Sequence, residues 1–331
     1  MYIQNKPRHK RSITLKNQKT KRNILIALVA VCLVFVAVMG AGFGKIISGE
    51  ITVTDTTAPD EYFAIINIKG TIQAGNEGSA RVGYDHSATL AYIDDLMEDE
   101  GNKGILLDVD SGGGTVYESD EMYLKLMEYK ETTGRPIHAY FNGTACSGAY
   151  YISCAADYIS QNRNGWTGSI GVIISTVNYK ELYDKLGIEE ILITSGDNKG
   201  MGSAGSEMTD EHIAIYQSLV DESYEQFVDI VAQSRGFDIE TAKQIADGRI
   251  YSAEQALAIS LIDKVESYED ACAYMEEVCG AGGYYRQLYT PTPWEEMFAD
   301  ISTLVPKSDM EAAVSLAEDK LHGVPLYMYI Q

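Results

Sequence analysis

Between residues 61 and 270 the chain alternates short, continuous apolar runs with stretches of helical periodicity. Glu61 to Ile72 (EYFAIINIKGTI), Gly104 to Val109 (GILLDV) and Pro136 to Phe141 are β-branched or apolar almost throughout. That is the pattern of strands buried on both faces. Between them, His86 to Glu100 sets Leu90, Ile93, Leu96 and Met97 on one face, and Tyr117 to Thr132 repeats the amphipathic pattern. Further on, Gly148 to Asp157 predicts a helix, Tyr158 to Ile174 short strands, Val177 to Leu186 a helix and Glu190 to Thr194 a strand. Ser195 to Thr209 (SGDNKGMGSAGSEMT) is too rich in glycine to be regular. Helices are expected over Asp210 to Ser234, Ile239 to Ala246 and Ser252 to Ser260, the last leading into LIDKV. Buried strands alternating with helices imply an α/β fold with a parallel sheet built from right-handed crossovers.

The pattern changes at both ends. Asn23 to Gly44 holds 22 residues without a charge, long enough to cross a hydrocarbon core of about 30 Å as a helix. Residues 1–22 carry eight Lys or Arg and no acid, and the positive-inside rule keeps such a flank in the cytoplasm. We therefore expect a basic cytoplasmic tail over 1–22, a transmembrane helix over 23–44 and a threonine-rich stalk over 45–60. A globular domain follows over 61–280, and a C-terminal extension over 281–331 ends in the apolar PLYMYIQ. The chain has a formal net charge of −22, and residues 23–331 alone carry −30. An exported domain so acidic repels phosphate, which argues against nucleic acid and assigns the basic tail to anionic lipid. Five cysteines without a CxxC pair form neither a disulfide framework nor, with scattered histidines, a metal site.

Candidate chemistry concentrates at FNGTACSGAYY, Phe141 to Tyr151. Ser147 falls at a strand-to-helix turn between small residues, a corner that exposes a hydroxyl and aims the first N–H groups of a helix at a ligand. A helix cap is the plainer role for such a serine. A second glycine-rich turn, Ser111 to Thr115, also follows a buried strand, so both turns belong at the carboxyl edge of the sheet, where open α/β folds bind ligands. One N–H from it and that of Gly148 are candidates for a shared oxyanion site. No phosphate-binding fingerprint is present. Among candidate bases, spacing singles out none of His86, His138 and His212. Lys199 stands apart by lying in a glycine- and serine-rich loop rather than on an amphipathic face.

Taken together, VDSGGGTVYES, GTACSGAYYISCAAD, TGSIGV, the SGDNK loop and ADGRIYSAEQAL…LID resemble the signal peptide peptidase A family, peptidase family S49. These are membrane-anchored serine proteases with a Clp-protease/crotonase-like fold, and the match runs in order over roughly residues 60–270. It is most similar to the short, single-copy form of Gram-positive bacteria. The resemblance implies Ser147 as nucleophile, Lys199 as general base and Ser169 as a helper that hydrogen-bonds the lysine amine. It places the oxyanion donors on the N–H groups of Gly114 and Gly148. Gly112 stands where the family usually has proline, which leaves the choice between Gly113 and Gly114 open, and Ser260 stands where it commonly has glycine. No cofactor is implied. The implied substrates are cleaved signal peptides and other apolar peptides. The implied assembly is a homo-oligomer, an octamer, over the outer face of the cell membrane, with the dyad shared between protomers.

Such a dyad makes a physical demand. A lysine with pKa near 10.4 is neutral only about one part in 2,500 at pH 7, so it must be desolvated to act as a base. A shift of about three units corresponds to roughly 4 kcal/mol, and an adjacent carboxylate would undo it. Asp197 is therefore expected to point away from Lys199. Two rival readings are a crotonase-like acyl-CoA enzyme, which needs no serine nucleophile, and a catalytically inactive membrane scaffold.

Overall fold

The computed structural model describes residues 60–74, 84–286 and the backbone of 326–328. The expected basic tail, the expected transmembrane helix over 23–44 and all but the end of the expected stalk lie outside the described residues. No helix among the described residues is long and apolar enough to cross a membrane.

In chain order the elements are β1 (Tyr62–Lys69), α1 (His86–Glu98), β2 (Asn102–Ser111), β3 (Gly113–Thr115), α2 (Val116–Thr133), β4 (Ile137–Cys146) and α3 (Gly148–Ser153). Then follow β5 (Tyr158–Gln161), β6 (Trp166–Gly168), α4 (Lys180–Leu186), α5 (Asp210–Arg235) and α6 (Ile239–Ile245). The last are β7 (Ile250–Ser252), α7 (Ala253–Ala258), β8 (Lys264–Val265), α8 (Tyr268–Cys279), β9 (Tyr284–Arg286) and β10 (Leu326–Met328). Eight of the strands form one sheet in the order β7-β6-β4-β2-β1-β9, with β5 bridging β4 and β8.

The three longest apolar runs occupy its centre, β1 beside β2 beside β4, all parallel. Their inward residues, among them Ile65, Leu106, Leu107 and Phe141, are fully buried. One core lies between the sheet and α1, α2, α3 and α5. A smaller one, with Phe63, Ile65, Leu106 and Tyr140, lies under α8 through Ala271 and Met275. The sheet is parallel in the main, with one antiparallel pair, β6 with β7. Two strands come from the extension after residue 280: β9 extends the sheet beside β1, and β10 pairs with β3.

The helix boundaries follow local chemistry. Asp85 caps α1 by accepting from the Ala88 N–H, Thr209 and His212 form a reciprocal cap on α5, and α2 and α5 end at Gly134 and Gly236 in the left-handed region. Three expectations fail. The expected glycine turn over Ser111 to Thr115 is in part a strand, β3, because Ile72 and β10 pair with its two edges. The helix after Ser147 stops at Ser153 rather than Asp157, because the Asp157 N–H and carboxylate turn back to bond Ile137 in β4. Glu190 to Thr194 is not a strand: Ile191 and Ile193 are 75% and 96% exposed, and no neighbouring strand pairs with them. An apolar β-branched run needs a partner edge to become a strand. Ser260 has φ of 61°, which accounts for the glycine common there in the resembled family.

One buried group has a consequence for stability. The His138 ring is 1% exposed, packs edge-on against Tyr158 and Tyr274, and has Nε2 2.7 Å from Ser160 Oγ. Burial pushes its pKa down to about 3, against a smaller upward pull from Asp263. Between the ordinary value of 6.5 and about 3, the unfolded chain binds a proton that the folded chain refuses. Stability therefore falls as pH drops through that window, by at most ~1.4 kcal/mol per pH unit from this group. Urea midpoints for His138→Gln should depend less steeply on pH between 6.5 and 4 than those of the natural protein; equal slopes would refute the assignment.

Candidate active site

Two neighbouring parallel strands end at the same level. Cys146, the last residue of β4, pairs with Gly168, the last residue of β6. The next residue on each is a serine with positive φ: Ser147 at 55° and Ser169 at 48°. The Ser147 N–H donates to Gly168 O at 2.8 Å, and the Ser169 N–H donates to Arg249 O at 2.7 Å. The ladder thus holds both serines on adjacent strand ends, which in a sheet lie about 4.8 Å apart.

Ser147 has ψ of −120°, a conformation that an L-residue with a side chain adopts only when its surroundings enforce it. The enforcement comes from β4 on one side and from α3 on the other, whose six residues are all buried. Tyr150 of that helix donates to Leu261 O at 2.7 Å. The Ser147 hydroxyl itself is buried, yet Oγ has no hydrogen-bond partner among the described residues. Buried polar groups are rarely left so, and the exceptions concentrate at functional sites. Cys146 beside it is inert, its thiol pushed up to about 12 by burial.

Gly113 and Gly114 face the same corner from β3. Ile72 lies along one edge of β3, donating to Gly113 O at 3.0 Å and accepting from the Thr115 N–H at 2.9 Å. By strand alternation the Gly114 N–H and C=O turn to the opposite edge, where Tyr327 of β10 is its partner. The Gly113 N–H is engaged elsewhere, by Ser111 Oγ at 3.1 Å. Only glycine fits at 114, since a Cβ there would sit 1.8 Å from Ile72 O. Gly148, first residue of α3, has an N–H with no partner inside the helix.

The histidines left open by spacing are all placed. His138 is paired with Ser160, His86 lies between Tyr84 and Glu121, and His212 serves the α5 cap. None bonds Ser147 Oγ. Lys199 lies in a short 3-10 turn, Asp197–Gly200, whose backbone bonds run from Lys199 N to Gly196 O and from Met201 N to Asn198 O. Its side chain is exposed and, in this single chain, does not reach the Ser147 hydroxyl. Among the described residues neither Lys199 nor Asp197 takes part in an ion pair. The structure therefore brings Ser147, Ser169, Gly114 and Gly148 to the carboxyl edge of the sheet and leaves Lys199 apart.

A serine held on a strained corner of a mostly parallel sheet, with helix amides behind it and a strand edge beside it, is the apparatus of a serine peptidase. Comparison with known proteins agrees. Residues 129–282 match peptidase family S49. The chain is 36% identical over 236 residues to a putative signal peptide peptidase SppA of Enterococcus faecium, covering 70% of this chain and 68% of that one. It is 37% identical over 224 residues to a putative protease of Synechocystis sp., covering 68% and 76%. It is also 27% identical over 227 residues to the chloroplastic serine protease SPPA of Arabidopsis thaliana, covering 67% and 33%. The chain belongs to peptidase family S49 and is a serine protease of the SppA type.

The strain at Ser147 is directly measurable. Glycine adopts positive φ freely and removes the unpartnered hydroxyl. Ser147→Gly should raise the unfolding free energy by about 1 kcal/mol, net of glycine's larger unfolded-state entropy, while peptidase activity is lost. Denaturant melts of the two proteins check this, and a destabilised variant would show that the corner is relaxed.

Proposed function

We propose that this protein is a membrane-anchored endopeptidase in which Ser147 and Lys199 form a catalytic dyad. Its substrates are cleaved signal peptides and similar apolar peptides. The carrying observation is the buried, unpartnered Ser147 hydroxyl on its strained turn. In this reading Lys199 Nζ takes the Ser147 proton, Oγ attacks the scissile carbonyl, and the N–H groups of Gly114 and Gly148 receive the oxyanion. The lysine ammonium returns its proton to the leaving amine, the C–N bond breaks, and water then releases the acyl group. Ser169, on the neighbouring strand end, holds the amine by a hydrogen bond.

An exposed lysine cannot act as a base at neutral pH, so the dyad forms between subunits. The chain around Lys199 supports this. Leu186, Ile188, Ile191, Leu192 and Ile193 are exposed in the single chain, an apolar run that monomers seldom leave in water. Docked on a neighbour, the same segment would bury these side chains and dry the amine. The assembly proposed is a homo-octamer on the outer face of the membrane, anchored by residues 23–44 with the N-terminus in the cytoplasm. A dyad in trans predicts complementation. Ser147→Ala and Lys199→Ala proteins are each inactive, but dissociated, mixed and reassembled they should regain a substantial fraction of peptidase activity. Activity absent from the mixture, with wild type recovering after the same treatment, would place both groups in one subunit.

The pairing of β10 on the free edge of β3 supports peptide binding by strand addition. Its register sets Tyr327 opposite Gly114, so the Tyr327 carbonyl is presented to the proposed oxyanion donor. The expected self-processing event is hydrolysis between Tyr327 and Met328. Intact mass should show loss of residues 328–331 in the natural protein and none in Ser147→Ala; trimming in both would assign it to another protease.

A further inference from the structure

The two proposed oxyanion donors sit on separate pieces of chain, and something must set the distance between them. Gly114 lies two residues before α2, while Gly148 is the first residue of α3. Gly114 lies in β3, outside the main sheet, while the ladder of β2 with β4 pairs Ser111 with Ala145, three residues before each glycine. That ladder leaves the helices after the two glycines to be set by side chains, and a polar tie joins the first turn and a half of each helix. Tyr151 Oη donates to Asp120 Oδ1 at 2.5 Å. Tyr151 is the fourth residue of α3 and Asp120 the fifth of α2. A third helix closes the node: Gln226 Nε2 of α5 donates to Asp120 Oδ1 at 2.9 Å and to Tyr151 Oη at 2.7 Å. The helix α5 begins directly after the loop that carries Lys199.

We propose that Asp120, Tyr151 and Gln226 are positioning residues that fix the spacing of the Gly114 and Gly148 amides and hence the stabilisation of the oxyanion. This rests on the assignment of those amides as oxyanion donors. The Tyr151 ring is fully buried, edge-on to Tyr123 at 5.5 Å and tilted against Phe227 at 5.0 Å. With the ring fixed, its hydroxyl reaches a defined point, and the carboxylate of Asp120 sets how closely α2 approaches α3. The hydroxyl is at once donor to Asp120 and acceptor from Gln226, so all three helices meet on one oxygen. Hydrophobic contact alone leaves a short helix free to slide along a longer one by fractions of an ångström; short charge-assisted hydrogen bonds do not. Catalysis is sensitive on that scale, because a misplacement of about 1 Å can lower a rate about a hundredfold.

The distinguishing measurement compares transition-state and ground-state binding in the assembled full-length protein. A peptide aldehyde, which forms a tetrahedral adduct with Ser147, probes the oxyanion site, and the matching product peptide probes ground-state binding. Tyr151→Phe and Asp120→Ala should each lower kcat about tenfold to a hundredfold. They should weaken the aldehyde by a similar factor and change product affinity and KM by less than about twofold, the pattern of an interaction made only in the transition state. Asp120→Asn, which keeps a carbonyl oxygen for the tyrosine, should recover most of the loss. Gln226→Leu, a substitution at an exposed position that does not endanger folding, should show the same pattern more weakly. Unchanged kcat in folded variants would overturn the proposal, as would equal weakening of aldehyde and product. A wild-type protein that the aldehyde fails to inhibit although it cleaves peptides would instead overturn the oxyanion assignment beneath it.

Discussion

The corner at Ser147 is the constraint around which the rest of the fold is arranged. A residue with a side chain is held at φ 55°, ψ −120°, with a buried hydroxyl lacking any partner among the described residues. Each feature is unfavourable by about 1–3 kcal/mol, and neither persists unless the surroundings over-determine it. Here the surroundings are the ladder between Cys146 and Gly168, the wholly buried helix that follows, and the bond from Tyr150 to Leu261 O. The strain places the oxygen of the proposed nucleophile at the carboxyl edge of the sheet, beside the strand edge on which β10 pairs. Stability given up at one residue is the condition for having that oxygen available.

The same logic explains why the single chain looks unfinished. A base that must be uncharged cannot be surrounded by water, and the described chain offers Lys199 no dry place. It offers instead an apolar, unpaired segment leading into the lysine turn, from Ile188 to Ile193. In the proposed assembly one event performs two tasks, covering those side chains and lowering the proton affinity of the amine. Activity would then be confined to the assembled enzyme, which keeps isolated subunits harmless.

Much of the frame was legible in the sequence. The continuous apolar runs at Gly104 to Val109 and Pro136 to Phe141 read as buried strands and are, whereas the glycines after them read as turns and lie in strands, Gly113 and Gly114 in β3 and Gly143 in β4. The place of Ser147, between a strand and a helix, follows from that order of elements. Glu190 to Thr194 reads as a strand because composition reports propensity, whereas a strand also needs a neighbour, and none lies there among the described residues. The contacts that organise the site were not legible. The pairing of Cys146 with Gly168 and the junction of Asp120, Tyr151 and Gln226 join residues 22 to 106 positions apart, and no periodicity marks them. Likewise the proposed choice of Gly114 over Gly113 depends on which way one amide faces, a matter of strand register that glycine content does not encode.

The central claim is that the Ser147 hydroxyl is the nucleophile and is activated only when Lys199 lies against it. The most direct measurement is covalent capture by a fluorophosphonate, with the adduct located by peptide mass spectrometry. A single adduct on Ser147 is predicted, forming rapidly in the assembled enzyme and at least about a hundredfold more slowly in Lys199→Ala, within the range by which a general base accelerates such reactions. An active enzyme labelled at another residue, or labelled at Ser147 equally fast without the lysine, would contradict it.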